Sequence, residues 1–214
     1  MSGILLNLIG SSSGEPAPTV IGQAYGGGYY AGEIGVSGVA THYLVVGPLA
    51  TAETTLIWKN SNTATAGADS VIDGPQNTAD MVADGDSTVY PCAHFCNDLS
   101  TGGKTDWYMP AKNELEVCYY NLKPGTGSNN TSSGINANAV PARASNYTAG
   151  NPAQTSATIF RTGSSEPFEL NIYWSSTEEI ATRARTQSFI GGYQGVYTKG
   201  TTTLRVRAIR RVLV

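Results

Sequence analysis

Residues 102–115 read Gly-Gly-Lys-Thr-Asp-Trp-Tyr-Met-Pro-Ala-Lys-Asn-Glu-Leu, a turn followed by large aromatic side chains and a helix start. Pro110 suits a first helical turn, because its fixed φ fits a helix and its missing N–H needs no partner there. Four apolar side chains then recur at helical spacing: Leu115, Cys118, Tyr119 and Leu122. The stretch predicts a helix over residues 111–122 that ends before Pro124, with Glu114 in its first turn, where a negative charge suits the helix dipole.

Two further helices are predicted upstream, a short one over residues 77–83 and a longer one over residues 90–99. In the longer one, four apolar side chains recur at helical spacing: Cys92, Phe95, Cys96 and Leu99. Farther upstream, runs rich in Tyr, Ile and Val predict strands over residues 29–34 and 41–46. The turn-forming residues 35–38 lie between these strands and predict a β-hairpin.

Downstream of the central helix, residues 125–163 form a long polar stretch with few apolar side chains. A loop of this length inside a domain is typically functional or heavily decorated. Short strands separated by Gly-rich turns are predicted beyond it, over residues 172–174, 186–190, 195–198 and 204–214. The helices thus lie between β-rich ends, which is typical of an α+β domain, and we predict one domain over residues 19–214.

The first eighteen residues differ from the rest of the chain. They contain a short apolar patch formed by Ile4, Leu5, Leu6, Leu8 and Ile9. Residues 11–18 are rich in Ser, Gly and Pro, which indicates a linker. The patch is far shorter than the ~20 residues that span a bilayer. A secretory signal requires a positively charged segment before its apolar one, and no Lys or Arg precedes Lys59. We predict that residues 1–18 are an arm that docks onto a partner or a neighbouring subunit; a frayed terminus or an extra strand of the domain is the alternative.

The composition is unusual in its low charge. Only 14% of the 214 residues are charged, whereas an average soluble protein has about 25%. The net charge of -3 argues against a nucleic-acid-binding domain. Nine acidic residues lie between Asp69 and Glu116, while the chain after Ile180 carries seven basic residues and no acidic one. We expect the basic strands to pack near the acidic helices and neutralise them; a polyanion-binding face is the alternative.

Few side chains suggest catalysis or metal binding. Cys92, His94 and Cys96, with Cys118 downstream, are zinc-ligand types, but on a helix His94 points away from the two neighbouring cysteines. Helical periodicity predicts buried core cysteines instead, with a structural metal or a Cys–Cys link as alternatives. Only two histidines occur, and neither lies in a recognisable catalytic motif. We expect no metal, no cofactor and no enzymatic activity.

Four segments in order carry a resemblance to a known family. They are residues 102–115, the run Tyr-Trp-Ser-Ser-Thr-Glu at 173–178, Phe189, and the run Val-Arg-Ala-Ile-Arg-Arg-Val at 206–212. Over residues 20–214 the chain resembles the C-type-lectin-like domain at the C-terminus of the collagen-like adhesin Lcl, a domain found in phage structural proteins and bacterial surface proteins. It is also similar to the variable proteins of diversity-generating retroelements. Residues 21–32 look most like the phage members.

The resemblance implies an α+β, C-type-lectin-like fold of short twisted antiparallel strands, two flanking helices and long loops, in which the first hairpin pairs with the last strand. Under that fold, Trp107 and Trp174 belong to the core. The residues Ser175, Ser176 and Thr177 are expected to cap turns, and Glu178 is expected to pair with Arg207 or Arg210.

The same resemblance places a candidate ligand face between the 173–178 motif and the last strand, where the retroelement proteins carry diversified positions. Its members would be Arg183, Arg185, Gln187, Tyr193, Gln194 and Tyr197, a mix of aromatic and polar side chains that is typical of a binding surface. Calcium-dependent sugar binding is not predicted, because residues 166–168 read Glu-Pro-Phe and no Trp-Asn-Asp triplet occurs. The reactive cysteine pair of formylglycine-generating enzymes is also missing, since all three cysteines precede Tyr119.

These observations predict a non-enzymatic phage virion protein displayed on the particle surface, as a capsid decoration or head fibre. Its arm would contact other virion proteins, and the domain would form a homo-oligomer, for example a trimer. A host-surface glycan or protein is a further expected partner, whereas nucleic acid and membrane insertion are not expected. The alternative is a receptor-binding module of a tail fibre or tip, or a bacterial surface adhesin, that recognises glycan or protein.

Overall fold

The computed structural model describes residues 15–214, which form an α+β structure. The strands are β1 (Ala24–Tyr25), β2 (Gly28–Val36), β3 (Val39–Val46), β4 (Glu53–Ile57), β5 (Ala139–Val140), β6 (Ile172–Ile180), β7 (Arg183–Ser188), β8 (Gln194–Thr198), β9 (Thr203–Arg207) and β10 (Ile209–Leu213). The helices are α1 (Leu49–Ala52), α2 (Gly74–Asp84), α3 (Pro91–Asn97) and α4 (Lys112–Leu122), with a 3₁₀ turn at Thr158–Phe160. The predicted anchoring residues Ile4, Leu5, Leu6, Leu8 and Ile9 lie outside the described residues. None of the helices within 15–214 is long and apolar enough to cross a membrane.

The first sheet has the order β1-β2-β3-β10, and β5 also pairs with β2, at Glu33 and Ile34. The predicted hairpin is confirmed, and Ser37 (φ 51°) and Gly38 (φ 79°) make its turn in the left-handed region. The last strand runs antiparallel to β3, from Ile209 opposite Val46 to Leu213 opposite His42. The pairing of the first hairpin with the last strand, which the resemblance implied, is therefore confirmed.

The second sheet has the order β4-β9-β6-β7-β8, in which only β6 and β9 are parallel. The prediction of one strand over residues 204–214 is wrong, because the chain changes sheets at Ala208. The Ala208 N–H donates to the carbonyl of Ala52 (2.8 Å), and its carbonyl accepts from Gly47 N–H (3.0 Å). These bonds lie outside both strand ladders, so β9 and β10 belong to different sheets.

The three predicted helices are confirmed within two or three residues at each end. The interior of residues 15–214 contains two apolar clusters. One cluster lies against α2 and α3 and contains the fully buried Trp58 and Trp174 together with Trp107. The other lies against α4 and contains its predicted stripe and Phe189. The three cysteines are free and completely buried, as expected for core residues, and burial raises the pKa of each thiol.

The motif segments are joined to one another by ion pairs. Arg210 donates to both carboxylate oxygens of Asp106, through Nε and Nη2 at 2.7 Å each. Arg211 Nε donates to Glu114 Oε1 at 2.7 Å. The expected packing of the basic end against the acidic middle is thus confirmed for these pairs. Glu114 is fully buried, and it acts as a buried hydrogen-bond acceptor as well as a charge in the first turn of α4.

The expected partners of Glu178 are wrong. Its carboxylate pairs with Lys199 Nζ (2.6 Å) and accepts from Thr65 N–H (2.9 Å), because β6 is irregular after Trp174 and turns this side chain away from the arginines of β9 and β10. Arg207 pairs instead with Glu166, from its Nη2 to Oε2 at 2.9 Å.

The expected capping role of the three residues before Glu178 is also wrong, because they lie inside β6. Ser175 Oγ donates to the carbonyl of Arg185 (3.0 Å), and Thr177 Oγ1 donates to the carbonyl of Ser70 (2.8 Å). Ser176 Oγ accepts from the amide of Asn77 (3.1 Å). These hydroxyls attach β6 to its neighbours.

Candidate functional site

The six side chains predicted to bind a ligand lie on β7, on β8 or in the turn between them. They are Arg183, Arg185, Gln187, Tyr193, Gln194 and Tyr197. Because side chains alternate along a strand, the three from β7 share one face of the sheet, and Gln194 lies opposite Gln187 on that face. Tyr197 lies opposite Ala184, on the other face. The sheet therefore separates Tyr197 from the other four strand residues, and the six do not form one site.

Gln187 is only 1% exposed, so the expectation of an exposed ligand-binding side chain is wrong at this position. The face that it occupies is covered by a segment of the long loop. Gly134 N–H donates to Gln194 Oε1 (3.2 Å), and Gln194 N–H donates to Ser133 Oγ (3.1 Å). Gln194 thus holds the loop in place.

The remaining members of the predicted face differ in how free they are. Arg185 forms an ion pair with Glu179 of the adjacent strand, and Gln194 is only partly exposed. Arg183, Tyr193 and Tyr197 are exposed. A role for these three in ligand binding stays a prediction.

A better-formed concave site lies in the long loop region, against the solvent side of α4. We call it the Tyr120 groove, and its volume is about 310 Å³. It is lined by Tyr120, Arg143, Ala144, Ser145, Asn146, Tyr147, Thr148 and Asn151. Only Tyr147 is buried among these residues; Tyr120 and Arg143 are half-buried, and the others are exposed.

Aromatic and polar groups alternate around the groove. The guanidinium of Arg143 lies over the Tyr120 ring, 4.1 Å from its centroid. Asn151 Nδ2 donates to the Tyr120 hydroxyl at 3.3 Å. The ring of Tyr147 lies 6.3 Å from that of Tyr120, tilted by 36°. The groove therefore offers aromatic surface beside side-chain hydrogen-bond donors and acceptors.

Glu116 fixes the floor of the groove from inside the protein. It is completely buried, and its carboxylate forms an ion pair with Arg143. The same carboxylate accepts from the Tyr147 hydroxyl and from Asn136 Nδ2, each at 2.6 Å. Burial, and then the charge of Glu116, raise the pKa of Tyr147, so that its hydroxyl stays protonated and donates. The side chains of the floor are thus ordered without a ligand.

A second buried group holds the loop beneath the groove. Lys123 Nζ donates to the carbonyls of Gly127 (2.6 Å) and Pro152 (3.1 Å) and to Asn129 Oδ1 (2.7 Å). Asn129 Nδ2 in turn donates to the carbonyl of Thr148 (3.1 Å), beside the groove. Burial lowers the pKa of Lys123, yet its oxygen partners suit the charged form. The turn that carries the groove residues is therefore attached to the end of α4.

Comparison with known families identifies the domain. A family model described as the Lcl C-terminal domain matches residues 50–210, which is most of the chain. The chain belongs to this family. The matched residues include α4, the Tyr120 groove and strands β6 to β9, so the resemblance to the Lcl C-terminal domain is confirmed.

Other comparisons add less. No curated protein matches the chain. Among solved structures, a fimbrial protein from Bacteroides ovatus ATCC 8483 is similar, with 14% sequence identity and a TM-score of 0.48. The match covers 85% of this chain and 43% of the fimbrial chain, so this chain spans less than half the length of the fimbrial protein.

The groove of this Lcl C-terminal domain was not predicted from the sequence. Tyr120 comes directly after Tyr119, a member of the apolar stripe of α4, but is not part of that stripe. Arg143 and Tyr147 are isolated within the polar loop. The groove could have been suspected from an aromatic residue outside the buried stripe of α4 and a single tyrosine in the long loop that follows. Spacing alone does not show that these residues meet.

Proposed function

We propose that this member of the Lcl C-terminal domain family is a non-enzymatic adhesive domain and that it binds a saccharide in the Tyr120 groove. The observation that carries the proposal is the half-buried Tyr120 ring, stacked under Arg143 and bordered by exposed amides. Sugar rings present apolar C–H faces and hydroxyl edges. The part of the Tyr120 ring that Arg143 leaves uncovered matches the former, and amide and guanidinium groups match the latter.

The size and rigidity of the groove support the same proposal. A volume of about 310 Å³ lies at the lower end of the range of about 300–1,000 Å³ for small-molecule sites. The buried Glu116 already orders Arg143 and Tyr147, so binding does not have to fix these side chains. A preordered site loses less conformational entropy when a ligand binds.

The test is a glycan array probed with the protein of residues 1–214 and with two variants. Tyr120→Ala removes the aromatic face and should reduce binding more than tenfold, since stacking and hydrogen bonding act together at this position. Tyr193→Ala is the matched control, because Tyr193 is an exposed tyrosine outside the groove. Equal loss in both variants, or loss only in Tyr193→Ala, would move the site to the β7–β8 region and overturn the assignment of the groove.

We further propose that the domain is displayed on a phage particle, as a capsid decoration or head fibre. The resemblance of residues 21–32 to phage members supports this setting, as do the apolar patch at Ile4 to Ile9 and the linker that follows it. Deleting residues 1–18 should abolish incorporation into particles, measured by mass spectrometry of purified virions. Incorporation without this segment would contradict the anchoring role. Recovery of the chain only from tail fractions, or from a bacterial surface, would favour a receptor-binding module or an adhesin.

The strand pairing also supports a proposal for the type of α+β fold. We propose that the two sheets are a variant of the C-type-lectin-like fold, supported by the pairing of β10 with β3 and by the helices between β-rich ends. A crystal structure with a different strand order would contradict this assignment.

A further inference from the structure

Helix α3 buries only part of its apolar stripe. Cys92 and Cys96 are completely buried, as their spacing predicts, but Phe95 and Leu99 of the same stripe are only half-buried. Both lie at the edge of the apolar cluster that contains the three tryptophans, and the half-buried Leu56 of β4 lies there as well. Within residues 15–214, the cluster is therefore incompletely covered on this side.

The three half-buried side chains line a groove beside α3, which we call the α3 groove. Its volume is about 490 Å³, larger than that of the Tyr120 groove. Pro91 adds to its apolar surface, and the other lining residues are polar: Ser87, His94, Asp98 and Ser100.

The two titratable groups of this groove have partners within the chain. His94 Nε2 lies 2.8 Å from the carbonyl oxygen of Gly85, and His94 Nδ1 lies 3.5 Å from a carboxylate oxygen of Asp98. An occupant of the α3 groove therefore needs to supply apolar surface and not a charge.

The described part of the chain begins close to the α3 groove. Glu15 Oε2 accepts from Gly26 N–H at 2.7 Å. The next residue, Gly27, packs so closely against Gly102 that a Cβ on it would lie 2.6 Å from the Gly102 carbonyl oxygen. Gly102 belongs to the turn that follows the groove residues 99–100. One turn of the chain thus separates Glu15 from the groove.

The segment before Glu15 is long enough to reach the α3 groove. Residues 10–14 separate Glu15 from the apolar patch at Ile4 to Ile9, and all five are Gly or Ser. An extended chain spans about 3.3 Å per residue, so Ile9 can lie up to about 20 Å from Glu15. Gly and Ser are common turn residues, so this linker can direct the patch toward α3.

The apolar patch also has the chemistry that the α3 groove requires. Residues 4–9 contain five aliphatic side chains, and residues 1–14 contain no charged one. Contact between these aliphatic side chains and the half-buried Phe95 and Leu99 removes apolar surface of both from water, which is favourable in proportion to the area buried. The patch therefore suits the groove in both size and charge.

We propose that the apolar patch at Ile4 to Ile9 docks in the α3 groove of its own chain and completes the apolar cluster there. The linker favours this contact over one with another copy, because a short linker holds the patch at an effective concentration of about millimolar. Anchoring on a particle would require the patch to leave the groove. The contact does not involve the saccharide, so it stands or fails separately from the proposed function.

The first test is photo-cross-linking from the patch in purified protein of residues 1–214. Leu6→p-benzoylphenylalanine should attach to α3 or to Leu56 of the same chain, and peptide mass spectrometry identifies the site. The same photoreactive residue at Val20, which is 62% exposed, is the control and should not label α3. Attachment elsewhere, attachment between two chains or no attachment would overturn the proposal.

The second test is the coupling between the patch and the groove in thermal unfolding. Leu6→Asp with Leu8→Asp should lower the midpoint by about 3 °C or more, because charged side chains are costly to bury in the groove. Ser11→Asp with Ser13→Asp adds the same charge in the linker and should shift it by less than about 1 °C. In protein that carries Phe95→Ala, the patch change should lose most of its effect. An unchanged midpoint, or an equal shift with and without Phe95, would contradict the docking.

Discussion

Glu114 and Glu116 lie two residues apart on α4, and both are fully buried, yet they serve different regions of the molecule. Glu114 pairs with Arg211 and accepts from the Tyr108 hydroxyl at 2.6 Å. Glu116 pairs with Arg143, from the long loop. Each carboxylate thus has one arginine and one tyrosine partner. The first set joins the motif segments, and the second holds a groove wall.

The two sets of partners differ in what they hold: the Glu114 set stabilises the fold, and the Glu116 set orders the proposed binding groove. The partners of Glu114 include two backbone N–H groups, those of Ala111 (2.8 Å) and Gly74 (3.2 Å), so its set fixes the backbone of two segments. The set of Glu116 instead ends on Arg143, whose guanidinium forms part of the groove. Residues of the recognisable motifs therefore stabilise the fold, whereas the proposed ligand contacts come from residues outside the motifs.

The largest expected effect comes from breaking the Glu114 set. Glu114→Gln should lower the free energy of unfolding by about 3–5 kcal/mol, because it leaves Arg211 without its main charge partner and places an amide N–H₂ among backbone donors. Urea denaturation at pH 7 measures the change. Glu179→Gln, which removes a partly exposed partner of Arg185, should cost less than about 1 kcal/mol. Equal costs in the two variants would show that burial of Glu114 does not matter.

A smaller stability effect and a larger binding effect are expected at Glu116. Glu116→Gln should cost about 1–3 kcal/mol, because the side chains that donate to Glu116 can reorient around an amide more readily than the two backbone N–H groups that donate to Glu114. It should also reduce saccharide binding on the array, since Arg143 is no longer held over the Tyr120 ring. If Glu116→Gln changed stability as much as Glu114→Gln and left binding intact, the two carboxylates would both be structural.

Asp106 is a third carboxylate that pairs with an arginine, and its side chain is 56% exposed, whereas Glu114 and Glu116 are buried. Asp106→Asn should cost about 1 kcal/mol at pH 7, in the range of exposed ion pairs with good geometry. Hydrogen bonds from Arg210 hold the pKa of Asp106 below its ordinary value of 3.8. The stability that this pair adds is thus present above pH 3.8 and is lost as the pH falls through the lower native pKa. Unfolding curves of both proteins should converge there; a constant difference would contradict the role of the charge.

The smallest effect is expected at His42, on β3, between Ile34 of β2 and Leu213 of β10. Burial, and then the charge of Arg211, lower the pKa of His42. The native state therefore binds this proton less readily than the unfolded state, and the contribution is lost as the pH falls below about 6.5. Wild-type protein should lose slightly more stability than His42→Gln between pH 7 and pH 5. A greater loss in the variant would reverse the sign and contradict the burial argument.

Much of the fold could be predicted because its signals are local. The stripe on α4 and the hairpin turn at residues 35–38 are read from spacing and residue type, whereas the core position of Trp107 and Trp174 was implied by the resemblance. The partner of Glu178 and the break at Ala208 could not be read in this way. Both depend on contacts between segments far apart in the chain, such as Glu178 with Lys199.

The candidate site was predicted less well than the fold for the same reason. The Tyr120 groove forms because Lys123 and Asn129 attach residues 148–152 to the end of α4. Nothing in the spacing of the polar loop indicates this attachment. On the β7–β8 face, residue type suggested a binding surface, but strand alternation and the loop at Gly134 decide which side chains are exposed.

Ala208 links the two sheets with a single residue, and its backbone is bonded to Ala52 and Gly47 on either side. The chain also passes from the first sheet to the second over residues 47–52, so Ala208 holds two adjacent crossings together. Neither sheet has enough free chain at the junction to melt by itself. We expect the domain to unfold in one all-or-none event, whether it is heated or pulled, so that under force it would give way at a threshold instead of stretching.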